Sequence, residues 1–100
     1  RQPRMTDLCK EINNFGKSIG NEARYRILMS LIKGKKTVGE LVELSSLTQP
    51  TVSQHLKTLK ASNLVTDERH GQEVYYALNA EYTLSLLTAL VKDIGKHRKE

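Results

Sequence analysis

Hydrophobic residues recur at steps of three and four along the first two thirds of the chain, and this spacing predicts a series of amphipathic helices. The first helix should end at Gly20, and Asn21 is suited to cap a second helix that stops near Gly34. The apolar stripe of the first helix is formed by Met5, Leu8, Ile12, Phe15 and Ile19. That of the second is formed by Ala23, Ile27, Leu28, Leu31 and Ile32. Both stripes should pack against one core.

Two further helices are marked by their capping residues. The segment "TVGE" has the spacing of a capping box, in which Thr37 and Glu40 each accept a hydrogen bond from the other's backbone amide. Thr48 can cap the next helix, and Pro50 is tolerated there because first-turn amides lack intrahelical acceptors. Asn63 accepts a left-handed conformation and should end this fourth helix. The apolar face of the third helix is formed by Val38, Leu41, Val42 and Leu44.

Apolar residues then alternate with polar ones, which predicts two short strands, "VTDER" and "EVYYAL", joined across "HGQ", whose glycine supplies the turn. Val74, Tyr76 and Leu78 should share one face. A last helix should follow Asn79 and run to about Lys96, with an apolar face broader than one contact requires. The expected fold is mainly α with a small β-hairpin, in the order of four helices, two strands and a fifth helix.

The composition indicates one small domain, residues 1–100, because 38% hydrophobic and 27% charged positions in 100 residues leave little room for a second core. The start, "RQPRMTDL", is too polar for a signal peptide, and the run "YTLSLLTALV" is about half of the roughly 20 residues that a membrane helix needs. We therefore expect a cytoplasmic protein without membrane contact. The net charge of +5 favours polyanionic partners, but it is thinly spread and weak as an argument for DNA.

The fourth helix has the features of a surface that reads DNA. Its core side should be formed by Val52, Leu56 and Leu59. Its outer side is then formed by Thr51, Gln54 and Thr58, flanked by His55 and Lys57. Hydroxyl, amide and imidazole groups can hydrogen-bond base edges, and the helix carries no carboxylate that phosphates would repel. The alternative is a core helix whose outer face is neutral by chance.

A short helix, a tight turn and a second helix, followed by a hairpin, form the arrangement of a winged helix-turn-helix. The segment from "NEARYRIL" to "VYYAL" resembles the ArsR/SmtB family of winged-helix repressors over about three-fifths of the chain. The most specific parts are "ARYRIL", "QPTVSQHLKTLK" and "VYYAL". Ser46 and Asn63 stand where glycine is usual, and both suit turn or cap geometry.

The resemblance implies a homodimer formed through the first and last helices, which would explain the broad apolar face of the last one. The fourth helix of each subunit would be the recognition helix, which enters the major groove. The two recognition helices of the dimer would lie about one DNA turn apart, roughly 34 Å, and bind a double-stranded operator with inverted-repeat symmetry. The expected dimer interface consists of Leu8, Ile12, Phe15, Leu84, Leu87, Leu90, Val91 and Ile94.

Side-chain chemistry divides the expected DNA contacts into two kinds. Thr51, Gln54 and His55 are suited to base edges, whereas hydroxyls and cations such as Ser53, Lys57 and Arg69 are suited to phosphates. Lys60 is either a phosphate contact or a solvated lysine, and Arg24, in the family motif, should form a structural ion pair. The full expected surface consists of Gln49, Thr51, Ser53, Gln54, His55, Lys57, Thr58, Lys60 and, at the hairpin tip, Arg69, His70 and Gln72.

The metal sites of the family are not preserved in this sequence. Metal-sensing members carry a cysteine pair in the third helix, where "ELVEL" here has Val42 and Leu44. A second family site, on the last helix, matches positions that here hold one possible ligand among Ala80, Tyr82, Asp93 and Lys96. We therefore expect no metal and no cofactor, and the effector is unknown.

Cys9 is the remaining candidate for effector chemistry. A disulfide would require a second cysteine within about 7 Å between Cα atoms, and the chain has one cysteine, so the other subunit would have to supply it. The alternative is an inert, half-buried thiol beside the stripe of the first helix.

Two other functional classes fit the sequence less well than DNA binding. An enzyme is disfavoured, because no catalytic triad order, paired carboxylates or phosphate loop is present in the sequence. A winged helix used as a protein-interaction module would favour an apolar or acidic outer face on the fourth helix, which the sequence lacks.

Overall fold

The computed structural model describes residues 5–98, with side chains from residue 7 onward. The elements are α1 (Met5–Ile19), α2 (Glu22–Ile32), β1 (Lys36–Thr37), α3 (Val38–Ser45), α4 (Gln49–Ala61), β2 (Val65–His70), β3 (Glu73–Leu78) and α5 (Ala80–Lys96). All five predicted helices and both predicted strands are confirmed. The predicted contribution of the Met5 side chain to the α1 stripe lies outside the described side chains. No helix within residues 5–98 is long and apolar enough to cross a membrane.

The helix starts follow the predicted caps. The Asn21 side chain accepts a hydrogen bond from the Arg24 amide at 3.0 Å, and Thr48 accepts from the Thr51 amide at 3.4 Å. The capping box of α3 is complete, since Glu40 N donates to Thr37 Oγ1 and Thr37 N donates to Glu40 Oε1. These bonds satisfy amides that have no partner within their own helix.

Within residues 5–98, two non-glycine residues adopt the left-handed conformation, and both lie where helices end. Ser46 has φ 61° at the end of α3, and Asn63 has φ 64° just after α4. The predicted left-handed stop at Asn63 is confirmed. Ser46 produces the tight turn that lets α4 begin three residues later, and this fixes the angle between the two helices of the helix-turn-helix.

The sheet has three antiparallel strands in the order β1-β3-β2, one more than predicted. Strand β1 has two residues and is too short to show any alternation in the sequence, yet its Lys36 pairs with Tyr76 of β3. His70 extends β2 and pairs with Glu73, so the turn is two residues long and Gly71 takes φ 65°. The alternation predicted from Val74 to Leu78 does not appear as a difference in exposure, because β3 is the central strand and every residue from 74 to 78 is half-buried.

The core lies where α2, α3 and α4 meet the start of β2. It consists of Ile27, Leu28, Leu31, Leu41, Val52, Leu56, Leu59, Leu64 and Val65. Two predicted core residues are exposed instead: Ile32 is 56% exposed and Leu44 is 59% exposed. At roughly 100° per residue, each lies about a quarter turn or more from the buried side of its helix.

Candidate nucleic-acid interface

The outer face of α4 is fixed by the burial of its inner face. Val52, Leu56 and Leu59 are at most 1% exposed and belong to the core cluster, as predicted. A rotation of α4 about its axis would expose these side chains to water, at about 1.5–3 kcal/mol each. The exposed polar residues of the helix are therefore held in place, and they are Gln49, Thr51, Ser53, Gln54, Lys57 and Lys60.

Two threonines of the expected surface use their hydroxyls within the protein. Thr51 Oγ1 lies 2.9 Å from Thr48 Oγ1, and the half-buried Thr58 donates to the Gln54 carbonyl oxygen at 3.3 Å. Gln54 and Lys57 have no side-chain hydrogen bond or ion pair among the described residues. These two side chains are thus available as donors on the exposed face, and so are those of Gln49 and Ser53, which likewise have no such partner among the described residues.

His55 is half-buried and contacts an arginine of α2. Its Nδ1 lies 3.5 Å from Arg24 Nη1. Burial and, to a smaller extent, the charge of Arg24 lower the pKa of His55 below its ordinary value. Because a guanidinium can only donate, Nδ1 accepts and the neutral ring keeps its proton on Nε2. The base-reading role expected for His55 is therefore limited to what one Nε2–H donor can do.

Among the residues that the structure describes, Arg24 does not form the ion pair expected from the sequence. Its Nε donates to the Ser18 carbonyl oxygen at 2.8 Å, and its Nη2 donates to the Lys17 carbonyl oxygen at 3.1 Å. These carbonyls belong to the last turn of α1, where no further intrahelical amide can reach them. The Arg24 side chain therefore caps the end of α1. Its partners are backbone carbonyl oxygens, which cannot be found by looking for nearby carboxylates in the sequence.

Lys60 is paired within the protein, which differs from both of its predicted roles. Its Nζ lies 2.7 Å from Asp67 Oδ2. The contact joins the last turn of α4 to β2. The hydrogen bond to Asp67, and then the charge of Asp67, raise the pKa of Lys60. A phosphate would have to compete with this carboxylate for the ammonium group.

The hairpin tip carries charges of both signs. Arg69, His70 and Gln72 are exposed, as expected for a DNA-contacting wing. His70 Nε2 lies 3.4 Å from Glu68 Oε1, and its ring meets the Tyr75 ring edge-on at 5.5 Å between centroids. Because the carboxylate of Glu68 lies beside His70, Arg69 is the side chain of the tip that is best suited to bind a phosphate.

The expected dimer residues lie on α1 and α5, which pack against each other. Leu84, Val91 and Ile94 are 63%, 67% and 59% exposed, whereas Leu87 and Leu90 are half-buried. Leu8 and Ile12 are half-buried on α1, and Phe15 packs against the core instead. A large apolar stripe on α5 is therefore left without a partner within the described part of the chain.

Cys9 is exposed, which contradicts the expectation of a half-buried thiol. It lines a shallow cavity of about 140 Å³ between α1 and α5, together with Leu8, Ile12, Leu90 and Asp93. Its position on the outer side of α1 follows from its place one residue after Leu8 in the apolar stripe. Within residues 5–98, no group of three or more His, Cys, Asp and Glu side chains is placed to hold a metal ion.

A hydrogen bond between α1 and α5 was not predicted from the sequence. Tyr82 Oη donates to Glu11 Oε1 at 2.6 Å. Burial, the hydrogen bond and the charge of Glu11 together raise the pKa of Tyr82 to about 12. The two residues are 71 positions apart, and no local signal in the sequence links them.

Comparison with known proteins gives a consistent result. Residues 21–67 match the family described as "Bacterial regulatory protein, arsR family". The chain is 33% identical to the transcriptional repressor SdpR of Bacillus subtilis over 85% of this chain and 94% of that protein. It is 40% identical to the nodulation protein NolR of Rhizobium meliloti over 76% of this chain, but it spans 62% of that longer protein.

A similar solved structure is the homodimeric winged helix-turn-helix DNA-binding domain Mb0332 from Mycobacterium bovis. It matches with a TM-score of 0.74 and 27% identity, over 100% of this chain and 97% of that one. The fold is thus a winged helix-turn-helix, in which α3 and α4 form the helix pair and β2 and β3 form the wing.

Proposed function

The chain belongs to the ArsR family of bacterial regulatory proteins, and from that premise we propose that it is a sequence-specific DNA-binding transcriptional repressor. The observation that carries the proposal is that α4 is buried on one face and exposed on the opposite face. Val52, Leu56 and Leu59 fix the helix against the core, and its opposite face presents polar groups without a carboxylate from Gln49 to Ala61. Such a face can enter the major groove without charge repulsion.

We assign different roles to the side chains on this face. Gln54 reads a base pair, because its free amide can form two hydrogen bonds to an adenine edge. Lys57 and Ser53 bind phosphates and hold the helix in register. Thr51 shares its hydroxyl with Thr48 and makes a weaker contribution to base reading. Arg69 and Gln72 reach the adjacent backbone from the wing.

The repressor acts as a homodimer through α1 and α5. The support is the unpartnered stripe of Leu84, Val91 and Ile94, together with the homodimeric state of the Mycobacterium bovis domain. Two-fold symmetry then places two α4 helices on one side of the DNA, about 34 Å apart. The operator is an inverted repeat, and the protein works in the cytoplasm, where that DNA lies.

The repressor has no metal site of the kind that the family uses. Val42 and Leu44 occupy the cysteine positions of α3, and Tyr82 on α5 donates its hydroxyl to Glu11 on α1. Isothermal titration with Zn²⁺, Cd²⁺ and Cu⁺ tests this, and stoichiometric sub-micromolar binding would contradict it. Because Cys9 is exposed, a thiol-responsive repressor is the second candidate. Mass spectrometry after peroxide or persulfide treatment separates the two, since the second candidate requires a Cys9 adduct or a disulfide between two copies of Cys9.

Selection of bound sequences from a random duplex pool tests the proposed function. We expect an inverted repeat whose half-sites are centred about one helical turn apart, and an affinity that falls steeply with salt. A protein-interaction module would instead give no enriched sequence, and its weak binding to DNA would not distinguish the selected pool from the starting pool. That result would overturn the proposal.

A further inference from the structure

We propose that Arg24 is a positioning residue that sets the orientation of the recognition helix α4 relative to the dimer helix α1. The proposal rests on the proposed function, because it assigns α4 to DNA and α1 to the dimer. Arg24 lies on α2, between the two helices, and contacts both of them. Its effect should therefore appear in the spacing between the two DNA-reading helices of the dimer.

On the α1 side, Arg24 binds the end of the helix through two separate donors. Nε reaches the carbonyl oxygen of Ser18 at 2.8 Å and Nη2 reaches that of Lys17 at 3.1 Å. Two bonds from one planar guanidinium fix both the position and the direction of the helix end. A lysine at this position would have no comparable planar fork and could not reproduce the angle.

On the α4 side, the same guanidinium reaches His55 through Nη1 at 3.5 Å. The imidazole is half-buried and lies in the middle turn of the recognition helix, next to Gln54. One side chain thus connects three groups: two carbonyls that end α1 and one ring that lies beside the DNA-reading residue.

A second polar contact joins the same two helices. The buried Ser18 hydroxyl, 2% exposed, lies 2.8 Å from the Ser62 hydroxyl at the C-cap of α4. Ser18 therefore contacts α4 through its side chain and Arg24 through its carbonyl oxygen. The two links are at different turns of α4, His55 and Ser62, so together they restrain its tilt against α1.

The restraint is positional and does not depend on a salt bridge. Arg24 forms no ion pair with a carboxylate among the described residues, and its partners are carbonyl oxygens and a ring nitrogen. In a dimer held through α1, any tilt of α4 changes the distance between the two recognition helices. Arg24 thereby determines which half-site spacing the dimer accepts.

The distance between the two α4 helices can be measured without DNA. Spin labels on Gln54→Cys, in a Cys9→Ser background, report that distance in the dimer by pulsed electron paramagnetic resonance. We expect a narrow distribution in the parent and a shifted or broadened one in Arg24→Lys and Arg24→Gln. Arg26→Gln is the matched control, because Arg26 is on the same helix but pairs on the surface with Glu22. Distributions that remain unchanged in both Arg24 variants, or that broaden equally in the control, would overturn the proposal.

A binding experiment supplies the second readout. Two-half-site duplexes recovered from the random pool are lengthened or shortened by one base pair at the centre and compared with a single-half-site duplex. The parent should lose about tenfold in affinity on the altered spacings, whereas Arg24→Lys should lose little of its affinity for the single half-site and discriminate spacings less. Ser62→Ala, which removes the other link, should act in the same direction.

The outcomes separate this proposal from the proposed function. If Arg24→Lys weakens single-half-site and two-half-site binding equally, Arg24 only supports the fold or the local charge, and the proposal fails. If the parent itself shows no sequence preference, the proposed function fails, and the label distances still decide the role of Arg24. Circular dichroism and thermal unfolding confirm that each variant is folded, and Arg24→Lys serves where Arg24→Gln does not fold.

Discussion

The ammonium group of Lys60 lies 2.7 Å from the carboxylate of Asp67, and this contact joins the end of the recognition helix to the first strand of the wing. The pair therefore holds two proposed DNA-contacting elements together while removing one cation from the free positive charge of the surface. Both side chains retain solvent contact, at 52% and 33% exposure, so their contribution to stability is small. The main consequence of the Lys60–Asp67 pair concerns DNA binding.

Replacing the carboxylate should release Lys60 for the phosphates. We expect Asp67→Asn to bind all DNA sequences more tightly and to steepen the dependence of affinity on salt by about one unit. Lys60→Ala should flatten that dependence less than Lys57→Ala, because Lys57 has no ion-pair partner in the part of the chain that the structure describes. Fluorescence anisotropy over a series of salt concentrations measures both effects. Glu81→Gln, the same charge change on α5, is the control, and an equal effect there would show that net charge alone is responsible.

Gln54 and Lys57 should separate sequence reading from general attraction. Gln54→Ala should lose about 1 to 3 kcal/mol on the selected operator and little on random duplex, since it removes hydrogen bonds to one base pair. Lys57→Ala should weaken both duplexes alike, because every phosphate is the same. Competition binding of each variant to the two duplexes measures the ratio of its affinity for the operator to its affinity for random duplex. If the two variants have the same ratio, the division of the α4 face into reading and positioning residues is wrong.

Two leucines of similar chemistry should differ widely in their effect on stability. Leu56 is 1% exposed at the centre of the core, and Leu56→Ala should lower the free energy of unfolding by about 2 to 5 kcal/mol. Leu44 is 59% exposed, and Leu44→Ala should change it by less than about 0.5 kcal/mol. Urea denaturation of the two variants measures the difference. A comparable loss for Leu44→Ala would mean that this side chain is covered in solution, which the single chain does not show.

The sequence predicted those parts of the structure that depend on neighbouring residues. The capping box of Thr37 and Glu40 spans three positions, and the left-handed end at Asn63 depends on one residue, so both could be foreseen. Strand β1 could not, since two residues form a strand only because β3 lies beside them. Amphipathic spacing also misplaced Leu44, because an apolar residue at the edge of a helical face carries no sign of whether a neighbouring element covers it.

The candidate site was predictable in its composition and less so in its internal contacts. The outward face of α4 followed from the positions of Val52, Leu56 and Leu59, which the core confirms. The partners of Arg24 and Lys60 could not be predicted from the sequence. Arg24 contacts His55, 31 positions away, and Lys60 contacts Asp67, 7 positions away, and each contact joins different elements. An arginine that binds carbonyl oxygens leaves no charge pattern in the sequence by which it could be found.

Tyr82 should make the fold sensitive to alkaline pH. The folded protein raises the pKa of this phenol from its ordinary value of 10.0 to about 12, through burial first and then the hydrogen bond and charge of Glu11. The folded state therefore holds the proton more tightly than the unfolded state does. The resulting stabilisation is complete below pH 10, and it is lost as the pH rises towards about 12.

Tyr82→Phe removes both the ionisable group and its bond to Glu11, so it should be less stable than the parent near neutral pH. The difference should shrink as the pH rises above 10, because the parent alone loses the contribution of the phenol. Tyrosinate absorbance should show a titration near 12 in the parent, from Tyr82, that is lost in the variant. Tyr75→Phe is the control, since its phenol bonds to Glu73 on the exposed wing and does not join two helices. A gap between parent and Tyr82→Phe that stays constant across this range would show that the hydrogen bond does not form in solution, and that α1 and α5 are held by apolar packing alone.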